Sequence, residues 1–239
     1  MRAFFVTGTD TGIGKTVASV ALLHALRARG LRAVGMKPVA SGCDATPDGL
    51  RNEDALALQA ASDPVPAYDD VNPFAFADPT TPELAATLDG GAIDLAALQS
   101  AFARLRATSD SVVVEGAGGW LAPWSPTLLQ SDLVRALDLP VILVVGLRLG
   151  AINHAWLTAR AIRADGLHLA GWIGNAIDPA WRHPDANLAI LERGLDAPCL
   201  GVLPHGAHHD HASAAGSLTL DALLTPGTTM QGGAATSPA

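Results

Sequence analysis

Residues 8–16, GTDTGIGKT, have the composition of a loop that binds phosphate. They follow a short apolar run and precede a helix-forming segment, which is the order of strand, loop and helix in phosphate-binding loops. There, Lys15 would reach the β- and γ-phosphates of a nucleotide, and the Thr16 hydroxyl would contact Mg²⁺. The usual pattern G-x-x-x-x-G-K-[ST] needs glycine at position 9, but this chain has Thr9 and places the glycine at Gly8. The segment therefore predicts nucleotide binding by a variant loop.

Two carboxylates are candidates to complete a magnesium site beside Thr16. Proteins hold Mg²⁺ with one or two carboxylates together with phosphate oxygens and water. Glu115 ends an apolar run and is followed by GAGG, where the backbone can approach a phosphate closely. Asp54 begins a helical segment, where the helix dipole also favours a negative charge. We therefore predict that Glu115 is a ligand, and for Asp54 a ligand and a helix-terminal charge are equal alternatives.

Lysine is rare in this chain. Of its 15 basic residues, only Lys15 and Lys37 are lysine, so arginine serves wherever a generic surface cation is needed. Lys37 ends a strand candidate in MKPVASG, with Ser41 a turn away. We predict that its ammonium stabilises negative charge during phosphoryl or carbamoyl transfer, the alternative being an ordinary surface lysine on a loop.

Two other segments carry weaker signals. Gly150 and Asn153 open a predicted helix, and their N–H groups could bind an anion such as a substrate carboxylate, or merely cap the helix. The histidine-rich residues 205–211 have no ordered spacing with a remote ligand, so a solvated loop is favoured over a metal site.

Apolar runs alternate with helix-like segments along the chain. Strand candidates are residues 2–7, 31–39, 111–115, 140–146, 167–175 and 198–203, and helix candidates are residues 17–29, 53–61, 94–108, 128–137, 152–164 and 184–193. Residues 141–145, VILVV, are apolar on both faces, which is typical of a strand covered on both sides. We predict an α/β fold like that of P-loop NTPases, in which helices flank a parallel sheet on both faces.

The same pattern predicts the domain organisation. No linker divides the chain, so residues 1–224 should form one domain, with an irregular excursion over residues 64–82. Residues 225–239 contain little that could be buried and are expected to be disordered. Ligands of open parallel sheets bind beyond the carboxyl ends of the strands, and the polar and glycine-rich segments above all follow strand candidates at that edge.

Composition narrows the classes of partner. The net charge is −8 and no basic cluster is present, which argues against nucleic acid and anionic membranes as partners. The longest apolar run, residues 141–147, is far shorter than a membrane span, and the apolar start is interrupted too early to form a signal peptide. We expect a cytoplasmic protein that acts on a small molecule.

With these motifs in hand, the chain resembles the dethiobiotin synthetase family over roughly residues 2–204. The resemblance rests on GTDTGIGKT, KPVASG, GLRNEDALALQ, VEGAGGW, LPVILVVGLRLGAINHAWLTA and LAGWIGNA, which occur in the order of the family. It implies an ATP- and Mg²⁺-dependent reaction of CO₂ with 7,8-diaminopelargonate, through a carbamate and its mixed anhydride with phosphate. It also implies a homodimer with the active site at the interface.

The resemblance further implies a role for each matching residue. Catalytic roles fall to Lys15, Lys37 and Thr11. Magnesium would be held by Thr16, Asp54 and Glu115. The diamine would contact Thr11, Lys37, Ser41 and Gly118, and its carboxylate would meet Gly150 and Asn153 of the neighbouring subunit. The nucleotide would contact Gly12, Ile13, Gly14, Lys15, Thr16, Val17, Asp54, Glu115, Gly116, Ala117, Gly118, Asn175, Pro204, His205 and Gly206, with Asn175 reading the adenine edge.

Departures from the family pattern fall on the nucleoside side. Gly12 stands where some relatives have an acid, and Ala176 follows Asn175 where an acid is common. Two alternatives remain open. One is another synthetase of the superfamily that forms an amide or ureido group, although the glutaminase domain of cobyrinate amidases has no counterpart here. The other is a non-catalytic nucleotide switch, against which Asp10 argues by occupying the position of the second lysine in partitioning ATPases.

Overall fold

Runs of apolar and β-branched residues form the strands of this chain, whose computed structural model describes residues 2–207 and 211–224. The strands are β1 (Arg2–Gly8), β2 (Ala33–Met36), β3 (Val39–Ser41), β4 (Asp44–Thr46), β5 (Gly49–Arg51), β6 (Phe74–Phe76), β7 (Ser111–Gly119), β8 (Pro123–Ser125), β9 (Leu128–Leu129), β10 (Val141–Gly146), β11 (Leu169–Asn175) and β12 (Cys199–Leu203). The helices are α1 (Lys15–Arg27), α2 (Glu53–Ala61), α3 (Tyr68–Val71), α4 (Pro82–Leu88), α5 (Leu95–Thr108), α6 (Gln130–Leu137), α7 (Ala151–Ala164), α8 (Pro184–Leu195), α9 (His211–Gly216) and α10 (Asp221–Leu224).

The central sheet has six parallel strands in the order β12-β11-β10-β1-β7-β2. β1 lies in its interior, where Phe5 pairs with Val141 of β10 on one side and with Val114 of β7 on the other. Because all six strands are parallel, their carboxyl ends share one edge. The predicted phosphate-binding loop after β1, residues 8–16, is called the P-loop below. This loop, Lys37 after β2 and Glu115 in β7 therefore converge at that edge, as predicted.

Helices cover both faces of the sheet, which confirms the predicted α/β architecture. Alternate residues of β1 enter different cores, since Phe4 and Val6 pack with α1, α2, α9 and α10, whereas Phe5 packs with α5, α6, α7 and α8. This alternation follows from the two-residue side-chain period of a strand. A third, smaller core around Trp124 joins β3, β6 and α4 to the main domain.

Three predicted elements need correction. The strand expected over residues 31–39 stops at Met36, and Val39–Ser41 instead pairs with β6 in a separate sheet, because Pro38 lacks an N–H and restricts the residue before it. The helix expected from residue 128 begins at Gln130, after β9 has paired with β8. The excursion over residues 64–82 is not wholly irregular, because it contains α3 and β6.

Some expectations fall outside the described residues. These are the disorder of residues 225–239 and part of the histidine-rich stretch, residues 208–210. In the described remainder of that stretch, His205 is exposed and His211 begins α9. None of the helices in the described ranges has the length and apolar character needed to cross a membrane.

Candidate active site

The P-loop connects the buried strand β1 to helix α1 by a tight turn. Gly12 and Gly14 have positive φ angles of 71° and 85°, which favour glycine because a side chain would be strained there. Gly14 caps α1, so the N–H groups of the first turn point into the adjoining cavity. Lys15 bends back across the loop and donates its Nζ to the carbonyl of Asp10 at 2.9 Å. This arrangement has the geometry of the phosphate-binding loop that the sequence predicts.

The ammonium of Lys37 lies between two carboxylates beneath this loop. Its Nζ is 2.6 Å from Glu115 Oε1 and 2.8 Å from Asp54 Oδ2. The Thr16 hydroxyl donates to the same Glu115 oxygen at 2.9 Å. The Lys37 side chain is only 5% exposed, which excludes the alternative of a surface lysine. The contact of Asp54 with Lys37 likewise shows that this carboxylate does more than interact with the helix dipole.

Burial and charge act in opposite directions on these groups. Burial opposes the charged form of Lys37, but the attraction of Glu115 and Asp54 outweighs it and raises the pKa of the ammonium. Burial also opposes ionisation of Asp54, but Lys37 reverses the balance and lowers the pKa of that carboxyl. At Lys15, burial and repulsion by Lys37 lower the pKa from the usual 10.5 to about 8. Lys37 is thus firmly protonated, whereas an anion in the adjoining cavity would favour the charged form of Lys15.

The polar groups around Glu115 fit a magnesium ion. Within the described chain, Glu115 Oε2 is buried and has no hydrogen-bond partner, although the other oxygen of this carboxylate is fully engaged. In the part of the chain that the structure describes, no group of three or more His, Cys, Asp or Glu side chains is arranged to hold a metal. Mg²⁺ does not require such a group, because phosphate oxygens and water complete its shell. Glu115, Asp54 and the Thr16 hydroxyl therefore form a suitable oxygen set for Mg²⁺ with a nucleotide.

A cavity of about 430 Å³ joins most of the predicted site. Its lining includes Thr11, Gly12, Gly14, Lys15, Thr16, Val17, Lys37, Ser41, Asp54, Ala117 and Gly118, together with the unpredicted Ala40, Asn52 and Glu53. Glu115 lies below this lining as a fully buried side chain, and Gly116 continues its strand. Ile13 contributes its backbone to the loop, while its side chain is buried in the core. The P-loop, Lys37 and the end of β7 thus face one another across a single space.

A second cavity of about 160 Å³ shares Val17 with the first, because this residue lines both. It is lined by Asn175, Ala176, Ile177, His205, Gly206 and Ala207, while Pro204 lies beside it on the surface. Asn175 donates its Nδ2 to the carbonyl of Ile13 at 2.8 Å, so its amide braces the P-loop. The predicted nucleoside residues are therefore adjacent to the phosphate loop.

Comparisons with known proteins agree with this geometry. A family described as "AAA domain" matches residues 2–212. The chain is 60% identical over 218 residues to the ATP-dependent dethiobiotin synthetase BioD of Xanthomonas oryzae pv. oryzae strain PXO99A, covering 91% of this chain and 97% of that protein. It is 63% identical over 202 residues to the protein of the same name from Xanthomonas campestris pv. campestris strain ATCC 33913, covering 84% and 90%. The chain belongs to the dethiobiotin synthetase family.

Solved structures of other proteins resemble this chain in fold only. The MinC:MinD cell division protein complex of Aquifex aeolicus is 14% identical with a TM-score of 0.54, covering 92% of this chain and 89% of the other. A ParA family ATPase from Chlorobium tepidum TLS is 13% identical with a TM-score of 0.54, covering 90% of each chain. These P-loop ATPases confirm the predicted fold class. In this chain Asp10 pairs with Arg148 at 2.7 Å.

Two residues expected from the dethiobiotin synthetase resemblance lie apart from the first cavity. Gly150 caps α7 and lines a separate cavity of about 480 Å³ with Trp181 and Arg182. Asn153 lies exposed on the first turn of α7. Neither lines the cavity at the P-loop within this chain.

One residue that sequence reasoning missed is Gln130. Its side chain is fully buried and grips the segment after Glu115, accepting from Ala117 N–H at 2.7 Å and donating to Gly119 O at 3.0 Å. A Cβ on Gly116 would come within 2.6 Å of this amide, so a larger residue there would displace the Gln130 side chain from its hydrogen bonds. The only signal in the sequence was a polar residue at the start of an otherwise apolar helix face. No motif marks such a residue as part of a site.

Proposed function

We propose that this enzyme uses ATP and CO₂ to convert 7,8-diaminopelargonate to dethiobiotin, with release of ADP and phosphate. The observation that carries the proposal is the buried ammonium of Lys37, held by Glu115 and Asp54 in the wall of the P-loop cavity. A nucleotide-binding loop alone would support any ATPase. A second, buried cation facing it supports a reaction in which a substrate meets the γ-phosphate.

The proposed chemistry has three steps. One amine of the substrate adds to CO₂ and loses a proton, which gives a carbamate. A carbamate oxygen attacks the γ-phosphorus of ATP, and ADP leaves. The second amine then attacks the carbonyl carbon of the resulting anhydride and loses a proton, and phosphate leaves as the ureido ring closes. Since no step needs a strong protein base, positioning and charge stabilisation supply most of the catalysis.

We assign these tasks to the groups that surround the cavity. Lys15 and the backbone N–H groups of the P-loop bind the β- and γ-phosphates. Lys37 stabilises the negative charge that the carbamate and the transferred phosphoryl group share. Thr11, Ser41 and Gly118 line the same cavity and would hold the diamine.

Magnesium and the nucleoside complete the proposed site. Thr16, Asp54 and Glu115 would hold Mg²⁺, which when bound neutralises phosphate charge. Asn175 and the residues at 204–206 would line the pocket of the base, because their cavity adjoins the P-loop at Val17.

A second copy of this chain would supply the site of the substrate carboxylate. Gly150 and Asn153 lie at the N-terminus of α7, whose N–H groups favour an anion. Leu149 is 93% exposed beside them and Leu157 is 56% exposed two turns on, so an apolar surface adjoins the anion site. This supports a homodimer in which α7 of one subunit closes the cavity of the other.

ADP release in the presence of ATP, Mg²⁺ and bicarbonate tests the proposed function. We expect release to depend on added diaminopelargonate and to fall by at least about 100-fold in Lys37→Gln, as for loss of a group that stabilises transition-state charge. Arg32→Gln, which removes a remote surface cation, serves as the matched control. ADP release that ignores the diamine would instead support a nucleotide switch.

A further inference from the structure

The backbone of Lys37 is held by a segment outside the central sheet. Its N–H donates to the carbonyl of Val71 at 2.7 Å, and its own carbonyl accepts from Asn72 Nδ2 at 2.7 Å. The next residue, Pro38, accepts from Phe74 N–H at 3.3 Å. Lys37 lies just past the end of β2, so these bonds take the place of sheet pairing. The excursion between α2 and α4 therefore fixes where the ammonium can reach.

The same segment is linked to the helix that carries Asp54. Asn52 caps α2 by accepting from Ala55 N–H at 3.2 Å, and its own N–H donates to Tyr68 Oη at 2.8 Å. The Tyr68 hydroxyl donates to Asn72 Oδ1 at 3.1 Å. Since Asn72 Nδ2 reaches Lys37, a continuous chain of hydrogen bonds runs from the cap of α2 to the backbone of Lys37.

Each member of this chain is suited to fix a position. Asn52 and Asn72 are both buried, so water cannot readily replace a hydrogen bond that either of them loses. The Arg51 guanidinium lies 4.1 Å above the centre of the Tyr68 ring and restrains its orientation. Burial raises the pKa of the Tyr68 phenol, so its hydroxyl keeps the proton that it donates to Asn72.

We propose that Tyr68 and Asn72 are positioning residues that set the place of Lys37 relative to Asp54 in the reacting cavity. Neither side chain lines that cavity, so neither touches the reacting groups directly, and the hydrogen bonds from Tyr68 to Asn72 and from Asn72 to the Lys37 carbonyl give the route to Lys37. A change in turnover on loss of Tyr68 or Asn72 is expected only if Lys37 has the catalytic role given in the proposed function. A change in the position of Lys37 is expected whether or not it has that role.

Lysine NMR tests the structural consequence directly. The chain has only two lysines, so labelling with ¹³C-lysine gives one side-chain signal for Lys15 and one for Lys37. We expect Tyr68→Phe, which removes one hydroxyl and keeps the ring, to shift or broaden the Lys37 signal and leave that of Lys15 unchanged. The matched control is Gln59→Met, which removes a hydrogen bond to Pro66 O in the same excursion but lies outside the chain to Lys37. An unchanged Lys37 signal in folded Tyr68→Phe overturns the inference.

Kinetics then test whether the two residues act through Lys37. Tyr68→Phe should lower kcat for diamine-dependent ADP release by about tenfold, because a misplaced catalytic group costs rate, while the KM for ATP stays within twofold. Adding Tyr68→Phe to Lys37→Gln should produce no further loss, and Asn72→Leu should follow the same pattern. A further tenfold loss in the Lys37→Gln background would overturn the inference. A wild-type enzyme that ignores the diamine would contradict only the proposed function, since the NMR result stands independently.

Discussion

Removing the Lys37 ammonium should destabilise the protein strongly, because it leaves a buried charge without its partner. The Glu115 side chain has no exposure to solvent, and its shortest ionic contact is the 2.6 Å contact with Lys37. Asp54, at 34% exposure, is partly screened by water and should suffer less. Breaking a buried ion pair on one side costs about 3–5 kcal/mol. We therefore expect Lys37→Met to lower the free energy of unfolding by roughly that amount.

Thermal and urea unfolding at neutral pH, without nucleotide or Mg²⁺, measure this loss. For a chain of this length each kcal/mol shifts Tm by about 2–4 °C, so a fall of roughly 6–20 °C is expected. The control Arg32→Met breaks a surface pair whose side chains are 59% and 40% exposed, so it should leave the Tm nearly unchanged.

A second substitution isolates the cause of the loss. Adding Glu115→Gln to Lys37→Met removes the unpaired charge and should restore part of the stability. If Lys37→Met is as stable as the Arg32→Met control, or if Glu115→Gln restores nothing, the reasoning from a buried charge is refuted.

Four other substitutions and a pH series extend the predictions. Lys37→Arg keeps the charge but not the size of the cation, so turnover should fall about 100-fold while calorimetry still detects ATP binding; near-normal turnover would remove Lys37 from the mechanism. The phosphates of ATP should bind the charged form of Lys15, whose pKa is about 8, so the affinity for ATP should weaken as the pH rises above 8. Calorimetry of Lys15→Arg, whose side chain stays charged, should find no such dependence. In Gly14→Ala the new Cβ would lie 2.1 Å from the Asn175 amide at a φ of 85°, so ATP affinity should drop at least about tenfold; unchanged affinity would contradict the strain argument. Gln130→Leu removes the hydrogen bonds to Ala117 N–H and to the Gly119 carbonyl, which retains its bond from Ala122 N–H, so Tm should fall and the KM for the diamine should rise in steady-state assays. An unaltered KM would exclude a role in shaping the site.

The sequence predicted those parts of the site that local order or sheet topology determines. The P-loop is contiguous, so its residues could be recognised together. Lys37 follows β2, and Glu115 lies within the neighbouring strand β7, which continues to Gly119 instead of ending at Glu115 as predicted. The parallel pairing of these two strands, with Met36 opposite Val114, brings the two side chains close. The end of β2 at Met36 could also have been predicted, because Pro38 has no N–H to donate to a neighbouring strand. The apolar run over residues 31–39 instead suggested one longer strand.

The supporting residues could not be predicted because nothing local marks them. Gln130 and Ala117, and likewise Asn72 and Lys37, are joined by hydrogen bonds between distant positions. Asn and Gln are common in loops and at helix ends, so their types alone carry no information about such partners. The relation of Gly150 to the cavity depends on a second copy of the chain and stays a prediction.

Product analysis with ¹³C-bicarbonate tests the central claim most directly. The purified enzyme is supplied with ATP, Mg²⁺, 7,8-diaminopelargonate and the labelled bicarbonate, and the product and ADP are measured together by mass spectrometry and chromatography. We predict that dethiobiotin forms with the label in its ureido carbonyl and that one ADP accompanies each product molecule, as the attack of a carbamate on ATP requires. Hydrolysis of ATP without labelled dethiobiotin would contradict the assignment of this site.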